Sequence, residues 1–344
     1  ARAQLASEAC DWEQALADLD SLAEIYADDP ERLLVMLTTR ATVLQRSEDY
    51  ESMVDVVESA FRVALQVDSS GEALFRLSHL LASVDLRQGL LLNARDRWLG
   101  IASQAAAAGV EYWEMLALSS AATAQTQLGN YSAALRSLQR ARELADELAD
   151  QLTALLLEVQ RGLVLSLQGD PEEGCAVHLA VAATAEDLGA VRLLGRAVSY
   201  AGESCRRMGL FDEASAHLER GERILRATQQ PGTLALCLAE RALCCLSQGL
   251  SQEAYDFAHS ALMTASLSPS VLLEMERVHG AMARAAEAAG DAEMLESARA
   301  SVCSLLDRQA RRLSPGQMAT WLAVAPRLEV VSCVGWRPPD GRDE

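Results

Sequence analysis

The segment Leu128-Gly129-Asn130-Tyr131-Ser132-Ala133-Ala134-Leu135 reads as a tight turn between two helices, and it recurs along the chain. Gly169-Asp170-Pro171 stands in the same phase, followed by Gly209-Leu210-Phe211, Gly249-Leu250-Ser251 and Gly290-Asp291-Ala292. Upstream, Gly89-Leu90-Leu91 and Glu48-Asp49-Tyr50 hold that phase, and Cys10-Asp11-Trp12 is a looser eighth copy. A fixed period of about 40 residues is the signature of stacked repeats, in which each unit buries its apolar face only against its neighbours. A length of 344 residues alone suggests two or three domains. The repeat overrides that prior, because stacked units have no single core to outgrow.

Glycine at the turn suits the left-handed residue that closes a helix. Asp49, Asn130, Asp170 and Asp291 follow as N-caps for the next helix. Asp170-Pro171-Glu172-Glu173 adds proline at the first helical position and a capping-box-like glutamate. The pattern predicts first helices over 31–47, 71–88, 110–128, 150–168, 190–208, 232–248 and 270–289. It predicts second helices over 49–67, 90–108, 130–148, 170–188, 210–228, 250–267 and 291–310. Breaks between units fall at Ser69-Ser70-Gly71, Gly109, Ala149-Asp150, Gly189, Pro231-Gly232 and Ser268-Pro269. Residues 1–8 read as a helix stub and 12–26 as its partner, so the chain is expected to be a piece of a longer protein.

Seven residues before each turn stands a small residue: Ala41, Ala82, Ala122, Gly162, Gly202, Ala242 and Ala283. Five after it a second recurs, at Ala15, Ala94, Ala134, Gly174, Ala214 and Ala254. Small side chains in register let two helix backbones approach closely. Two residues after the turn Trp12, Tyr50, Tyr131 and Phe211 supply a large partner, while Leu91, Pro171, Ser251 and Ala292 depart from the pattern.

This arrangement resembles the tetratricopeptide repeat (TPR), in a variant lengthened from 34 residues to 40, over residues 1–305. It is similar to the sensor domains of ATP-dependent maltose-type transcription activators and other large bacterial signalling ATPases. Armadillo-like and HEAT-like repeats have similar periods and stand as the structural alternative. The expected fold is all-α: a right-handed α-solenoid of about eight TPR-like helix-turn-helix repeats. Residues 306–327 are expected to form a C-terminal capping helix region, with a short helix over 314–327. Residues 328–344 are expected to be a tail, its start pairing as a strand or tucking onto the last helices and its end disordered.

Composition narrows the function. Lysine is absent, so all 30 basic residues are arginine, against 49 acidic ones, and the net charge is −19. Phosphate-loop, Schiff-base and Ser-x-x-Lys lysine chemistries are excluded. The acidic balance argues against a nucleic-acid or anionic-membrane binder. Eight cysteines without a Cys-x-x-Cys fit a reduced cytoplasmic setting. No run of 18 apolar residues suggests a membrane span. His178, His217 and His259 recur near repeat phase on second helices and read as a shared half-buried position, not a metal site. Trp98, Tyr112 and Trp113 read as packing. No cofactor is expected and no enzyme motif occurs.

The resemblance places the first helix of each unit on the concave face. Positions three, six and ten before each turn then give the contact positions, Thr126, Val159 and Leu163 among them, with Arg76, Arg196 and Arg277 thirteen before. Singled out from these are Arg76, His79, Ser119, Thr123, Arg196, Ser199, Glu203, Arg206, Arg277 and Arg284. The N-terminal part is hydroxyl-rich and the arginines suit a bidentate grip on carboxylates. The alternative is that the arginines pair with Glu203, Glu287 and neighbours as a solvated face. Some TPR domains hold a peptide carboxylate with a lysine–asparagine clamp; here lysine is missing and Asn93 and Asn130 lie in turn regions. The leading expectation is a non-catalytic scaffold for a protein or peptide with acidic groups, within a bacterial regulator. A small-molecule effector sensor and a self-association module forming homo-oligomers are the alternatives.

Overall fold

The computed structural model describes residues 12–47, 49–67, 71–266 and 274–338. Seventeen helices and no strand occur among them. Helix α1 (Trp12–Ile25) is a second helix without a described first one. Seven pairs follow: α2 (Pro30–Ser47) with α3 (Tyr50–Gln66), α4 (Gly71–Arg87) with α5 (Leu91–Ala108), and α6 (Glu111–Gln127) with α7 (Tyr131–Glu147). Next come α8 (Gln151–Gln168) with α9 (Pro171–Asp187), and α10 (Val191–Arg207) with α11 (Phe211–Ala227). The last pairs are α12 (Pro231–Ser247) with α13 (Ser251–Ser266), and α14 (Met275–Ala289) with α15 (Ala292–Ala310). Two short helices close the chain, α16 (Pro315–Leu322) and α17 (Ala325–Val334). The stub at 1–8, the breaks at Ser69-Ser70 and Ser268-Pro269, and the end of the tail after 338 lie outside the described residues.

The chain divides into two compact units. The first runs to Arg87 and includes Leu92–Ala121; the second comprises Gln88–Leu91 and everything from Ala122 on. Within the second unit each first helix packs on its own second helix and also on neighbouring first helices, α8 on α10, α10 on α12 and α12 on α14. Burial follows from this placement. α10 buries a continuous run from Ala197 to Ser199 and from Ala201 to Cys205. α11 buries only Ala214, Leu218, Gly221 and Leu225, a single stripe at helical spacing.

The turn chemistry is as the sequence dictates. Gly89, Gly129, Gly169, Gly209, Gly249 and Gly290 all have positive φ. Asp49, Asp170 and Asp291 cap the next helix by accepting from the backbone N–H of Ser52, Glu173 and Met294. Asn130 makes no side-chain cap bond, which corrects its expected role. The break at Ala149-Asp150 forms with Ala149 in the left-handed region and Asp150 accepting from Thr153 N at 3.0 Å.

The small residues before and after the turns are buried where the two helices of a repeat pack. Ala122, Ala134, Ala242, Ala254 and Ala283 are all essentially inaccessible. At the α8–α9 crossing both are glycine, and a Cβ on Gly174 would stand 2.6 Å from the Gly162 carbonyl oxygen. Of the two expectations for 328–334 the strand is corrected and the tuck onto the last helices is what forms: these residues are helical, as the end of α17. Pro326 at the start of α17 fits the first helical turn, and α17 packs on α14 and α15.

Gly174→Ala is expected to destabilise the chain by about 1–3 kcal/mol, the cost of overpacking a tight crossing. Gly100→Ala, on α5 with nothing within 4 Å of the added methyl, should instead gain about 0.5–1 kcal/mol from helix propensity. Urea unfolding of the two variants checks this, and shifts of equal sign would contradict it.

Candidate functional site

The second unit holds a cavity of about 390 Å³ on its first-helix face. Ala122, Thr123, Thr126 and Gln127 of α6 form one wall, and Leu156, Val159, Gln160 and Leu163 of α8 the next. Arg196 and Tyr200 come from α10, Gly232, Thr233 and Leu236 from α12, Leu138 from α7, and Glu274 from the residue before α14. The lining is mainly aliphatic with a few polar groups, the usual make-up of a ligand pocket. Glu274 accepts from the Gln127 amide at 3.2 Å, and burial pushes its carboxyl above the usual range. Tyr200 stacks on His178, ring centroids 5.5 Å apart, and burial raises its phenol.

Of the ten sequence candidates, Thr123 and Arg196 line this cavity. The candidates Arg206, Arg277 and Arg284 do not line it and are bound to carboxylates of the chain itself. Arg277 is buried between Glu203 (2.9 Å), Glu240 (2.8 Å) and Glu274 (3.6 Å). Arg207 takes the other oxygen of Glu203 at 2.9 Å. Arg206 pairs with Glu240 and approaches Glu329 at 3.6 Å, and Arg284 lies 3.8 Å from Glu329. Burial opposes ionisation of Glu203, but the Arg277 and Arg207 charges outweigh it and hold the carboxyl at about 2. Four arginines and four glutamates thus alternate in one ladder, with no spare positive charge for an outside anion. Removing one partner from such a buried pair costs about 3–5 kcal/mol, so Arg206, Glu203 and Arg277 are structural in this state. The solvated-face alternative holds only at the Glu329 end: Arg277 with Glu203 and Glu240, and Arg206 with Glu240, are buried and bridge different helices, while Arg284 and Glu329 are over a third exposed.

The remaining candidates are also placed differently. Ser199 is buried on α10 against Gly221, its hydroxyl donating to the Gly195 carbonyl of its own helix. Thr126 does the same toward Ala122, and such back-bonding is the default for a hydroxyl inside a helix. In the first unit, Arg76 is exposed on α4 and Ser119 half-buried on α6. His79 is held by the tryptophans beside it. Its Nδ1 accepts from the Trp98 indole at 3.1 Å and its ring packs edge-on to Trp113, so burial holds it at about 4. Trp98 and Trp113 are core, while Tyr112 is exposed. His178, His217 and His259 do not share a half-buried position: they stand nine, eight and ten residues after their turns, so each faces a different way. His178 is fully buried, His217 half-buried and His259 exposed. Cys237 and Cys244 are buried and pushed up to about 12 by burial, the behaviour of packing thiols.

Arg196 is the exception among the cavity's polar groups. It lines the space half-buried and makes no ion pair with any described carboxylate. Sequence phase found it at thirteen residues before the turn. The same step in neighbouring repeats marks Leu156 and Leu236, which that reading passed over. Tyr200, Gln160 and Gln127 lie one residue off the expected phases, and Glu274 precedes its helix, so periodicity carries no signal for them.

No family model matches the chain, and no curated protein matches it in sequence. Solved structures match its fold. The Rap protein complexed with competence and sporulation factor aligns at a TM-score of 0.65 and 11% identity, over 97% of this chain and 96% of that one. NprR in complex with its cognate peptide NprX aligns at 0.65 and 14% identity, over 92% and 97%. A tetratricopeptide repeat protein from Parabacteroides merdae aligns at 0.56 and 14%, over 80% and 95%. The chain therefore has a TPR-like, long-repeat α-solenoid fold.

His178 backs the cavity wall. Its Nε2 lies 3.1 Å from the Val159 carbonyl, which can only accept, so Nε2 carries the proton of a neutral ring. Burial holds the imidazole at about 4 in the folded chain, below the ordinary 6.5. The unfolded chain gains this proton near pH 6.5 and the folded chain only near 4. Stability is therefore complete above pH 6.5 and lost as pH falls toward 4, at about 1.4 kcal/mol per pH unit for this group. Denaturant unfolding across that range should show the slope reduced by about this amount in His178→Gln; an unchanged slope would contradict a buried neutral ring.

Proposed function

We propose that the chain is a non-catalytic recognition scaffold, the sensor part of a bacterial regulator, and that it binds a peptide in the α6–α8–α10–α12 cavity. The observation that carries this reading is Arg196, a cavity arginine with no carboxylate partner among the described residues, set beside a ladder in which every other arginine has one. A half-buried, unpaired guanidinium in an aliphatic cavity suits a ligand that brings a carboxylate and an apolar side chain together. Leu156, Val159, Leu163 and Leu236 would take the apolar part and Arg196 the acidic one. Thr123 and Glu274 flank the two. Support comes also from the fold neighbours, since NprR was solved with its cognate peptide and is described as a quorum sensor, and Rap was solved with competence and sporulation factor.

A small acidic effector is the second reading, favoured by a volume of about 390 Å³, within the range typical of small-molecule sites. Both readings use the same arginine.

Peptides selected from a displayed random library against the full chain should be enriched in acidic residues. Arg196→Gln should weaken them by about 10- to 100-fold, the worth of one charge-assisted hydrogen-bond pair, with the melting temperature unchanged. Selected peptides that bind Arg196→Gln as tightly as wild type would sink the proposal.

A further inference from the structure

The chain's own C-terminal helix occupies part of the face that sequence phase assigns to ligand contact. Gly280 and Arg284 stand ten and six residues before the turn at Gly290, and Arg206 three before Gly209. Over them lies α17. Val330 sits so close to Gly280 that a Cβ there would come within 2.6 Å of the valine Cγ2. Glu329 lies between Arg206 and Arg284, at 3.6 and 3.8 Å. Leu243, Ala281 and the Glu240–Arg277 pair also line the narrow space beneath Pro326, Glu329 and Val330. A carboxylate next to a branched aliphatic residue therefore fits this surface, and α17 is the demonstration.

The hold of α17 is uneven. Its anchor is Arg327, fully buried, which donates to the carbonyls of Gln127 (3.0 Å) and Trp321 (2.8 Å) and stacks on Trp321 at 4.3 Å. The ion pair to Glu276 is long, at 3.4 Å. Arg327 Nε, Glu276 Oε2 and Trp321 Nε1 are buried there with no partner among the described residues. Native interiors leave few polar atoms in that condition, and an imperfectly paired buried ion pair adds little net stability. The Glu329 contacts are long and about a third exposed, the geometry of weak pairs. With ten residues, α17 is too short to persist as a helix away from its seat.

We infer that the face beneath α17 is a second docking subsite, for a helical segment carrying a carboxylate beside a branched apolar residue, and that α17 is its resident, displaceable occupant. The partner is defined by the chemistry of Glu329 and Val330: an acid for Arg206 and Arg284, an aliphatic branch for the Gly280 gap. The subsite is distinct from the Arg196 cavity, and its test does not depend on that cavity's ligand.

The probe is a labelled synthetic peptide of the α17 sequence, residues 325–334 with Cys333→Ser, offered to the full chain. In wild type the tethered helix competes at millimolar effective concentration and should exclude it. Glu329→Arg in the chain sets like charges against Arg206 and Arg284. Hydrogen exchange should then be about tenfold faster in α17, with α10, α12 and α14 as protected as before. The same variant should bind the peptide about tenfold more tightly than wild type, and a peptide with Glu329→Gln should lose that gain. If Glu329→Arg fails to fold, Glu329→Gln in the chain carries the same comparison with a smaller shift. Unchanged α17 exchange in a folded variant, an opened chain that ignores the peptide, or equal binding of the Gln peptide would each overturn the inference.

Discussion

The contact on which the structure rests is the crossing of the two helices of a repeat, where the small residue seven before the turn lets the second helix come close: Gly162 meets Gly174, and Gly202 receives Leu218. At Gly162 and Gly174 a methyl group on either side would collide with the other helix. Where alanines stand instead, both are buried completely, as at Ala242 and Ala254. Close packing at this one level fixes how far each second helix stands from its first. It leaves the first helices packed on both sides and the second helices with one apolar stripe. The first-helix face is thus the surface on which polar side chains of neighbouring repeats meet, and both the cavity and the arginine–glutamate ladder lie there.

Electrostatics on that face divides it in two. From α10 through α14 to α17 the arginines are satisfied internally, and the chain closes on itself through Glu203, Glu240, Glu274 and Glu329. Toward α6 and α8 the lining turns aliphatic, with Thr123, Gln160 and Tyr200 at the rim of the empty volume and Arg196 facing it. An arginine without a partner in a partly desolvated place is costly to keep, and recognition of an acidic group is the simplest use for it.

Helix ends at a turn glycine were legible to within one or two residues, because a fixed phase of glycine, cap and small residue constrains the end of one helix and the start of the next; the start of α14, which has no such glycine, is Met275 against an expected 270. Asn130 shows the limit, since a cap-forming residue type in the right place formed no cap. Leu328-Glu329-Val330-Val331 leaves two readings open, since its β-branched run suits a strand; packing on α14 and the Arg327 anchor decide for the other, a segment tucked onto the last helices. The site was half legible. Phase alone marks the first-helix face, so it reaches Thr123, Thr126, Val159, Leu163 and Arg196 of the lining, but it cannot say which arginines the chain will neutralise itself. Those partners, Glu240 above all, lie 34 and 37 residues away from Arg206 and Arg277. The partner of His79 is equally out of reach of phase: its ring accepts from Trp98, nineteen residues further on.

The central claim is that the first helices of the second unit, around Arg196, form the recognition surface. Mapping hydrogen exchange on the full chain, free and saturated with a library-selected acidic peptide, tests it most directly. The account predicts that protection rises in the last turn of α6, the middle of α8, the first half of α10 and the start of α12. Protection gained instead on the outer helices α7, α9 and α11, with the cavity walls unchanged, would contradict it.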